Sequence, residues 1–220
     1  MVVDQHALEA LFEDLFAAYG PQGWWPGESR FEIIAGALLI QRTTWHNAAR
    51  ALERLREAGC LAPAPLAALA PAALAELVRP AGFYRQKAAR LAALCRWLDA
   101  EGGCDALTVL SDATLRAAWL ARPGIGPETA DAILLYAYER PVFVVDAYAR
   151  RLLARLGLAR GDEAYEALRA ALERALGGDV ARYNEFHALI VAHAKARCAT
   201  RPRCTACVLA ARCTYARAAR

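Results

Sequence analysis

Hydrophobic residues recur every three to four positions along most of the chain, which is the spacing of an amphipathic α-helix. The pattern predicts helices over Gln5–Ala18, Phe31–Ile40 and Trp45–Ala58, with Gly20 ending the first. Longer helices are also predicted at residues 85–100, 112–121, 127–138, 147–156, 162–176 and 180–196, with short ones between residues 61 and 78. Ser29 and Glu32 have the spacing of a capping box, which favours a helix start there.

Strand signals are weak by comparison. Residues 142–145 form the one run rich in β-branched residues, and it should be extended and apolar. One strand cannot form a sheet, so we predict an all-α fold.

The composition indicates a folded globular protein, with 57% hydrophobic and 23% charged residues in 220. This length allows one large or two small domains. No apolar run approaches the ~18 residues of a membrane span. The N-terminus lacks the layout of a signal peptide. We therefore expect a cytoplasmic protein with no membrane partner.

The net charge is only +4, but the basic residues are unevenly placed. No acidic residue occurs from Phe186 to the end, a stretch that contains Lys195, Arg197, Arg201, Arg203, Arg212, Arg217 and Arg220. Such a segment suits a polyanion such as DNA, and Arg201 and Arg203 are predicted DNA contacts. A solvated basic tail is the alternative.

A tight turn, Arg-Pro-Gly-Ile-Gly-Pro at residues 122–127, joins two predicted helices within residues 113–138. Gly124 and Gly126 can adopt backbone conformations closed to other residues, and Ile125 should pack back between the helices. Pro127 suits the first position of a helix. Free N–H groups at a helix start bind anions such as a DNA phosphate. An ordinary turn between helices is the alternative.

Seven cysteines fall into two groups. Cys60, Cys95 and Cys104 are scattered and are expected to be buried thiols. The others have the spacing C-x5-C-x2-C-x5-C, at Cys198, Cys204, Cys207 and Cys213. In a cytosolic chain such clustering indicates a metal site. Zinc sites usually have two close cysteine pairs, whereas this segment has one, which favours a 4Fe–4S cluster over zinc.

Three tryptophans and one aspartate are further candidates. Trp24 and Trp25 lie in a Gly- and Pro-rich loop, and Trp45 begins a predicted helix. Aromatic faces stack on bases and attract cations, although core packing is the usual role of tryptophan. Asp146 stands between the apolar run and a helix, so it could cap that helix, orient a water or stabilise a cationic sugar.

Together these parts resemble the helix–hairpin–helix DNA glycosylases of the endonuclease III superfamily. The features that carry the resemblance, in chain order, are residues 31–41, the segment Gly-Phe-Tyr-Arg-Gln-Lys-Ala at 82–88, the hairpin followed by Val145 and Asp146, and the four-cysteine tail. The resemblance implies two all-α parts with the DNA cleft between them. One is a six-helix barrel at residues 22–138. The other combines residues 1–21 and 139–220 and carries the iron–sulfur loop at 198–213.

The resemblance also implies roles for single residues. Asp146 matches the essential aspartate, and Gln41 matches a residue that enters the space left by a flipped base. Gly124, Ile125 and Gly126 match the phosphate-binding hairpin. The implied partner is double-stranded DNA with a damaged base, and the implied cofactor is a 4Fe–4S cluster.

Glu128 departs from the family pattern. In endonuclease III a lysine at this position attacks the sugar and forms a Schiff base, which glutamate cannot do. An acid in the first turn of a helix does complement the helix dipole. The chain has two lysines, Lys87 and Lys195, and neither lies at this position. We therefore predict a monofunctional glycosylase that uses water and leaves an abasic site.

Within the superfamily, the chain most resembles the 3-methyladenine DNA glycosylase III branch, through residues 24–26, 41–45 and 124–131. This implies that Trp24, Trp25, Trp45 and Lys195 line a base pocket for an alkylated purine such as 3-methyladenine, whose positive charge aromatic faces attract. The chain departs from the family patterns at two places. Leu189 stands where the branch has a second lysine, and the spacing between Cys198 and Cys204 is one residue shorter than in endonuclease III.

Other functions share some of these features. A mismatch glycosylase that removes uracil, thymine or adenine would need every motif except the cation-attracting pocket. A protein that binds lesions without cutting would keep the hairpin and basic tail but would not need Asp146. A redox sensor with a cluster is supported by the cysteines alone.

Overall fold

A computed structural model describes residues 3–218, and all regular structure in that range is helical. The predicted all-α fold is therefore confirmed. The chain divides into two compact units, one of Trp25–Tyr138 and one of Met1–Trp24 with Glu139–Arg220. Arg220, the last residue of the basic segment, lies outside the described residues. None of the described helices is long and apolar enough to cross a bilayer.

The unit Trp25–Tyr138 contains seven of the α-helices in the described chain. They are α2 (Arg30–Leu39), α3 (Trp45–Glu57), α4 (Pro63–Ala67), α5 (Pro71–Leu77), α6 (Tyr84–Ala100), α7 (Asp112–Leu120) and α8 (Pro127–Ala137). Short 3₁₀ turns occur at Arg79–Ala81 and Asp105–Val109. Helix α6 packs on α4 and α5, and α8 packs on α2 and α7. Their contacts bury Ile34, Leu38, Leu91, Trp119 and Ile133.

Capping explains where α2 begins, and it refines the predicted capping box. Ser29 Oγ accepts a hydrogen bond from the Glu32 amide at 3.2 Å, as predicted. The Glu32 carboxylate does not return to the Ser29 amide, since it accepts from the Glu28 amide at 3.0 Å and pairs with Arg56 of α3. Glu32 is only 5% exposed, so its carboxylate needs polar partners in the protein. Its ion pair with Arg56 is one of them and fixes the position of one oxygen.

Lys87 is the buried cation of this unit, with 3% of its surface exposed. Its Nζ donates to the carbonyl oxygen of Leu39 at 2.8 Å and to that of Ala81 at 2.7 Å. Leu39 ends α2 and Ala81 ends a 3₁₀ turn, and the carbonyls at helix ends otherwise lack intrahelical donors. One ammonium group on α6 therefore ties together three segments.

The other unit contains α1 (Gln5–Tyr19), α9 (Ala147–Leu156), α10 (Tyr165–Leu176), α11 (Val180–Ala196) and α12 (Thr214–Ala218). Helix α11 packs on α1 and α9, and α1 also packs on α10. Leu8, Leu11, Leu15 and Phe186 are completely buried in this packing. The predicted bounds of α9 and α11 agree with the structure.

The apolar run at residues 142–145 is buried and belongs to no helix or strand of the described chain. Side chains of α10 satisfy its amides instead. The Phe143 amide donates to Glu173 Oε1 at 3.0 Å, and the Val145 amide donates to the Tyr165 hydroxyl at 3.5 Å. This buried run leads directly to Asp146.

Two predictions from the sequence were wrong in detail. Helix α10 starts at Tyr165 rather than at residue 162, because the Glu163 carboxylate accepts from the amides of Arg160 and Gly161 and closes a turn. Cys95 and Cys104 are buried as expected, but Cys60 is half-buried. Cys60 lies just after the end of α3, where its thiol donates to the Ala58 carbonyl.

The buried lysine yields a test of the fold. Replacing Lys87 with methionine keeps a long unbranched side chain but leaves two buried carbonyl groups without a donor. Each loss costs about 1–3 kcal/mol, partly offset because no ammonium is desolvated, so we expect the free energy of unfolding to fall by about 2–4 kcal/mol at neutral pH. Urea denaturation of the two proteins measures this difference.

The same pair of proteins should differ in pH dependence. Burial lowers the pKa of Lys87 from 10.5 to about 8 in the folded chain. Between these values the unfolded chain holds a proton that the folded chain has released, so wild-type stability should rise with pH across this window relative to Lys87→Met. A stability difference that stays flat or falls from pH 8 to 10.5 would contradict the assignment.

Candidate functional site

Asp146 has the capping role that its position in the sequence predicts, and its second oxygen is left for another partner. It is the N-cap of α9, and its Oδ1 accepts a hydrogen bond from the Ala149 amide at 2.7 Å. Its Oδ2 lies 3.5 Å from Nε2 of His187. The residue is 9% exposed, so its carboxylate is held at the boundary of the core. One oxygen is fixed by the helix, and the other faces an imidazole.

His187 is a member of this site that sequence reasoning missed. It lies on α11, is 6% exposed and approaches Asp146 from 41 residues further along the chain. A histidine within an apolar helix gives little signal by itself, and only the packing of α11 on α9 brings it to the carboxylate. The pair places an imidazole ring next to the Asp146 carboxylate.

The hairpin has the conformation expected from its two glycines. Gly124 has φ +82°, a left-handed conformation that glycine favours. Gly126 is the extended N-cap of α8, Pro127 is the first residue of that helix, and Ile125 is buried at 6% exposure. A Cβ added to Gly126 would meet no atom within 4 Å, so the turn faces open space on that side.

A buried ion pair holds the two helices of the hairpin together. Arg116 of α7 donates from Nε to Asp131 Oδ1 at 2.6 Å and from Nη2 to Asp131 Oδ2 at 3.1 Å. Asp131, on α8, is completely buried. This fork-to-fork geometry fixes the relative orientation of both side chains, and therefore of the helices that carry them.

Gln41 is attached to the hairpin. Its Nε2 donates to the Gly124 carbonyl and to Thr129 Oγ1, both at 3.0 Å. Gln41 follows the end of α2 and is half-buried. The structure therefore brings this residue to the hairpin turn, and its entry into a vacated base position remains a prediction.

Glu128 is exposed in the first turn of α8, as the sequence indicated. An acidic side chain there complements the positive end of the helix dipole. Lys87, the lysine of this unit, is engaged with two carbonyl groups in the core.

The aromatic candidates form two separate groups. In the unit Trp25–Tyr138, the rings of Trp25 and Trp45 meet edge to face with centroids 5.3 Å apart, and Tyr136 lies 5.4 Å from Trp25. A Cβ on Gly36 would lie 3.2 Å from the Trp25 ring, so glycine leaves room for the indole against α2. Trp25 and Trp45 are half-buried, and Tyr136 is buried.

Trp24 and Lys195 meet within the other unit. The Lys195 ammonium lies 5.9 Å from the centroid of the Trp24 ring, at the outer range of a cation–π contact. Lys195 is exposed and Trp24 is half-buried. That these two residues line a base pocket remains a prediction.

The four clustered cysteines line one cavity, together with Arg155 and His193. Cys198 and Cys213 are buried, and the other two are half-buried. Burial raises the pKa of the Cys207 thiol, and the three neighbouring cysteines raise it further, which reflects how close the four lie. Among residues 3–218, no three ligating side chains meet closely enough to hold a single metal ion. Four convergent thiols are nevertheless a suitable donor set for an iron–sulfur cluster.

Arg155, near the end of α9, organises the loop that carries these cysteines. Its guanidinium donates to the carbonyls of Cys198, Ala199 and Thr200 at 3.3, 2.7 and 3.0 Å, and to the Cys198 sulfur at 3.2 Å. Its own carbonyl accepts from the Cys213 thiol at 3.3 Å. Sequence reasoning missed this residue because arginines are abundant in the chain.

The two arginines predicted to contact DNA differ in their surroundings. Both are exposed, but Arg203 Nη2 donates to the Ala196 carbonyl at 2.7 Å and so helps to fold the loop. Phe83 is a further exposed residue that the sequence did not single out. It is 60% exposed and has φ +46°, a strained conformation for a residue with a side chain.

Known proteins resemble this chain along most of its length. A family model described as "HhH-GPD superfamily base excision DNA repair protein" matches residues 35–177. A Methanocaldococcus jannaschii protein named as a candidate DNA repair glycosylase is 39% identical over 200 residues, which cover 90% of this chain and 91% of that protein.

Two solved structures share the fold. The 3-methyladenine DNA glycosylase of H. pylori, bound to 1,N6-ethenoadenine, matches with a TM-score of 0.73 and 32% identity, over 87% of this chain and 95% of that one. A non-covalent endonuclease III–DNA complex matches with a TM-score of 0.85 over 99% of both chains, at 21% identity. The family match and the identity to the M. jannaschii protein together establish that this chain belongs to the HhH-GPD superfamily of base excision DNA repair proteins.

Proposed function

We propose that this protein is a DNA glycosylase that hydrolyses the bond between a damaged base and its deoxyribose, with Asp146 as the catalytic carboxylate. The observation that carries the proposal is the placement of that carboxylate. Its Oδ1 is fixed by the Ala149 amide and its Oδ2 lies beside His187, at the boundary of a buried region.

The chemistry that this arrangement supports is a substitution at the anomeric carbon of the sugar. The C1′–N bond breaks and its electron pair leaves with the base, while positive charge develops on the sugar. A nearby carboxylate stabilises that charge. A water oxygen forms the new bond to C1′ and loses one proton, which Asp146 accepts. The products are a free base and an abasic site.

The proposed substrate is an alkylated purine in double-stranded DNA. The H. pylori relative at 32% identity is named for 3-methyladenine and was solved with a modified adenine. The rings of Trp25 and Trp45, which meet in one unit, are the aromatic faces proposed to attract a positively charged base, and Trp24 of the other unit is a further candidate. Such a base is already a good leaving group, so the site needs little acid catalysis.

We further propose that the enzyme does not cleave the strand through a Schiff base. Glu128 stands at the start of α8, where the family's nucleophilic lysine would lie. Lys87 is buried and its amine donates to two carbonyls, which leaves Lys195 as the accessible lysine of the chain.

The proposed cofactor is a 4Fe–4S cluster held by Cys198, Cys204, Cys207 and Cys213. The support is that all four thiols line one cavity and that Arg155 holds the intervening loop. When bound, the cluster supplies four covalent links that stabilise the basic loop. We also propose that the protein acts as a monomer in the cytoplasm, at the nucleoid.

Base release is the direct test of the proposed activity. Duplexes carrying 3-methyladenine, 1,N6-ethenoadenine, uracil, a thymine mismatch or an oxidised pyrimidine are incubated with wild type and with Asp146→Asn. We expect release of the alkylated purines by wild type, and a loss on the order of 10²–10⁴-fold in the variant. Asparagine caps helices as well as aspartate, so the variant should unfold within about 1 kcal/mol of wild type.

Asp179→Asn is the matched control, because Asp179 caps α11 in the same way through a hydrogen bond from the Arg182 amide. This variant should retain full activity. If uracil or thymine is released in preference to alkylated purines, the proposed substrate is wrong and the protein is a mismatch glycosylase. No release from any duplex, with DNA binding intact, would favour a lesion-binding protein.

Borohydride trapping tests the absence of a lyase step. Wild type incubated with a duplex containing an abasic site should give no covalent adduct, because no lysine stands at position 128. Glu128→Lys should introduce an amine at that place and yield a trapped species. An adduct formed by wild type and abolished in Lys195→Gln would show instead that Lys195 acts as the nucleophile.

Iron content and proteolysis test the cofactor site. Wild type purified without oxygen should contain about four irons per chain, and Cys207→Ser should contain far less. Arg155→Leu removes the donor for three loop carbonyls, so we expect faster tryptic cleavage after Arg203 even without iron. Arg174→Leu, an exposed residue on α10, is the control and should digest like wild type. If the wild-type protein contains no iron after reconstitution, the proposed cluster is wrong.

A further inference from the structure

Arg90 lies directly against the hairpin, a position that its sequence context does not reveal. It is a half-buried residue of α6. A Cβ added to Gly124 would lie 2.6 Å from both Cδ and Cζ of the Arg90 side chain. Gly124 therefore satisfies two demands, since it adopts φ +82° and also leaves space for the arginine. The guanidinium is held over the backbone of the turn.

The charge of Arg90 is not compensated within the described part of the chain. No hydrogen bond, ion pair or ring contact of Arg90 occurs among residues 3–218. Arg116 and Arg30, which are also partly buried in this unit, are paired with Asp131 and Asp105. Because Arg90 has no such partner, the donors of its guanidinium are available to an anion that approaches the turn.

The neighbouring surface of the hairpin can accept such an anion. The N-terminus of α8 presents its first N–H groups and the positive end of its dipole. The space in front of Gly126 is open, with no atom within 4 Å of an added Cβ. An arginine fork and backbone amides are the two kinds of donor that suit a phosphate group.

We propose that Arg90 is a DNA-binding residue that donates to the same backbone phosphate as the amides of the hairpin. The inference rests on the proposed function, since it assumes that DNA is the ligand. It assigns to α6 a direct part in binding, in addition to its packing on α4 and α5. The alternative is that Arg90 only packs against Gly124 and stabilises the turn. The experiment must distinguish this structural role from DNA binding.

Fluorescence anisotropy with a duplex containing a non-cleavable abasic analogue, recorded over a range of salt concentrations, tests the proposal. Arg90→Gln should weaken binding about tenfold and reduce the slope of log K against log salt by about one. Arg96→Gln removes the same charge from an exposed position on α6 and should change affinity less than twofold. Arg90→Lys should keep the wild-type slope with a smaller loss of affinity.

A double-mutant cycle with Gly126→Ala tests whether one phosphate is shared. The alanine methyl group would extend into the open space at the turn, with little effect on folding, and should weaken binding on its own. If both groups bind one phosphate, the double variant should lose less affinity than the product of the two single losses. If the affinity loss of the double variant equals the product of the two single losses, the two groups do not share one phosphate. If Arg90→Gln leaves the slope of log K against log salt unchanged, Arg90 does not contact a phosphate.

The failure of this inference can be distinguished from failure of the proposed function. If wild type does not bind the duplex, DNA is not the ligand and both proposals fall. If wild type binds and Gly126→Ala weakens binding while Arg90→Gln does not, the hairpin binds DNA and only the role of Arg90 is rejected. Thermal unfolding of each variant identifies any loss that comes from misfolding.

Discussion

The hairpin of this protein depends on the buried ion pair between Arg116 and Asp131. Both oxygens of a fully buried carboxylate are bound by one guanidinium, and the two residues lie on the helices at either side of the turn. Removing one partner of such a pair costs about 3–5 kcal/mol, because the remaining charge stays buried. The pair therefore constrains how α7 and α8 cross, and the glycines between them can only adopt conformations that this crossing permits.

Other elements of the same unit reach this turn through polar side chains. Gln41 joins the end of α2 to the Gly124 carbonyl, and Lys87 of α6 binds the carbonyl of Leu39, two residues earlier. Arg90, one turn further along α6, lies over Gly124. Four helices thus position one short backbone segment. A ligand that meets a turn held in this way does not have to order it, which lowers the entropic cost of binding.

Local features of the fold could be predicted from the sequence, whereas long-range pairings could not. The bounds of α9 and the capping role of Asp146 follow from neighbouring residues, as does the left-handed Gly124. His187 meets Asp146 across 41 positions, and Gln41 meets Gly124 across 83. No periodicity encodes such contacts, because they arise only when helices pack.

Helix α9 carries two features that the sequence presented as separate. It begins after Asp146 and, ten residues later, ends beside Arg155, which binds the cysteine loop. A helix of this length spans about 15 Å and behaves as a rigid rod. Order in the loop that carries the four cysteines can therefore restrict the position of the Asp146 carboxylate, because the two are attached to opposite ends of one rigid helix.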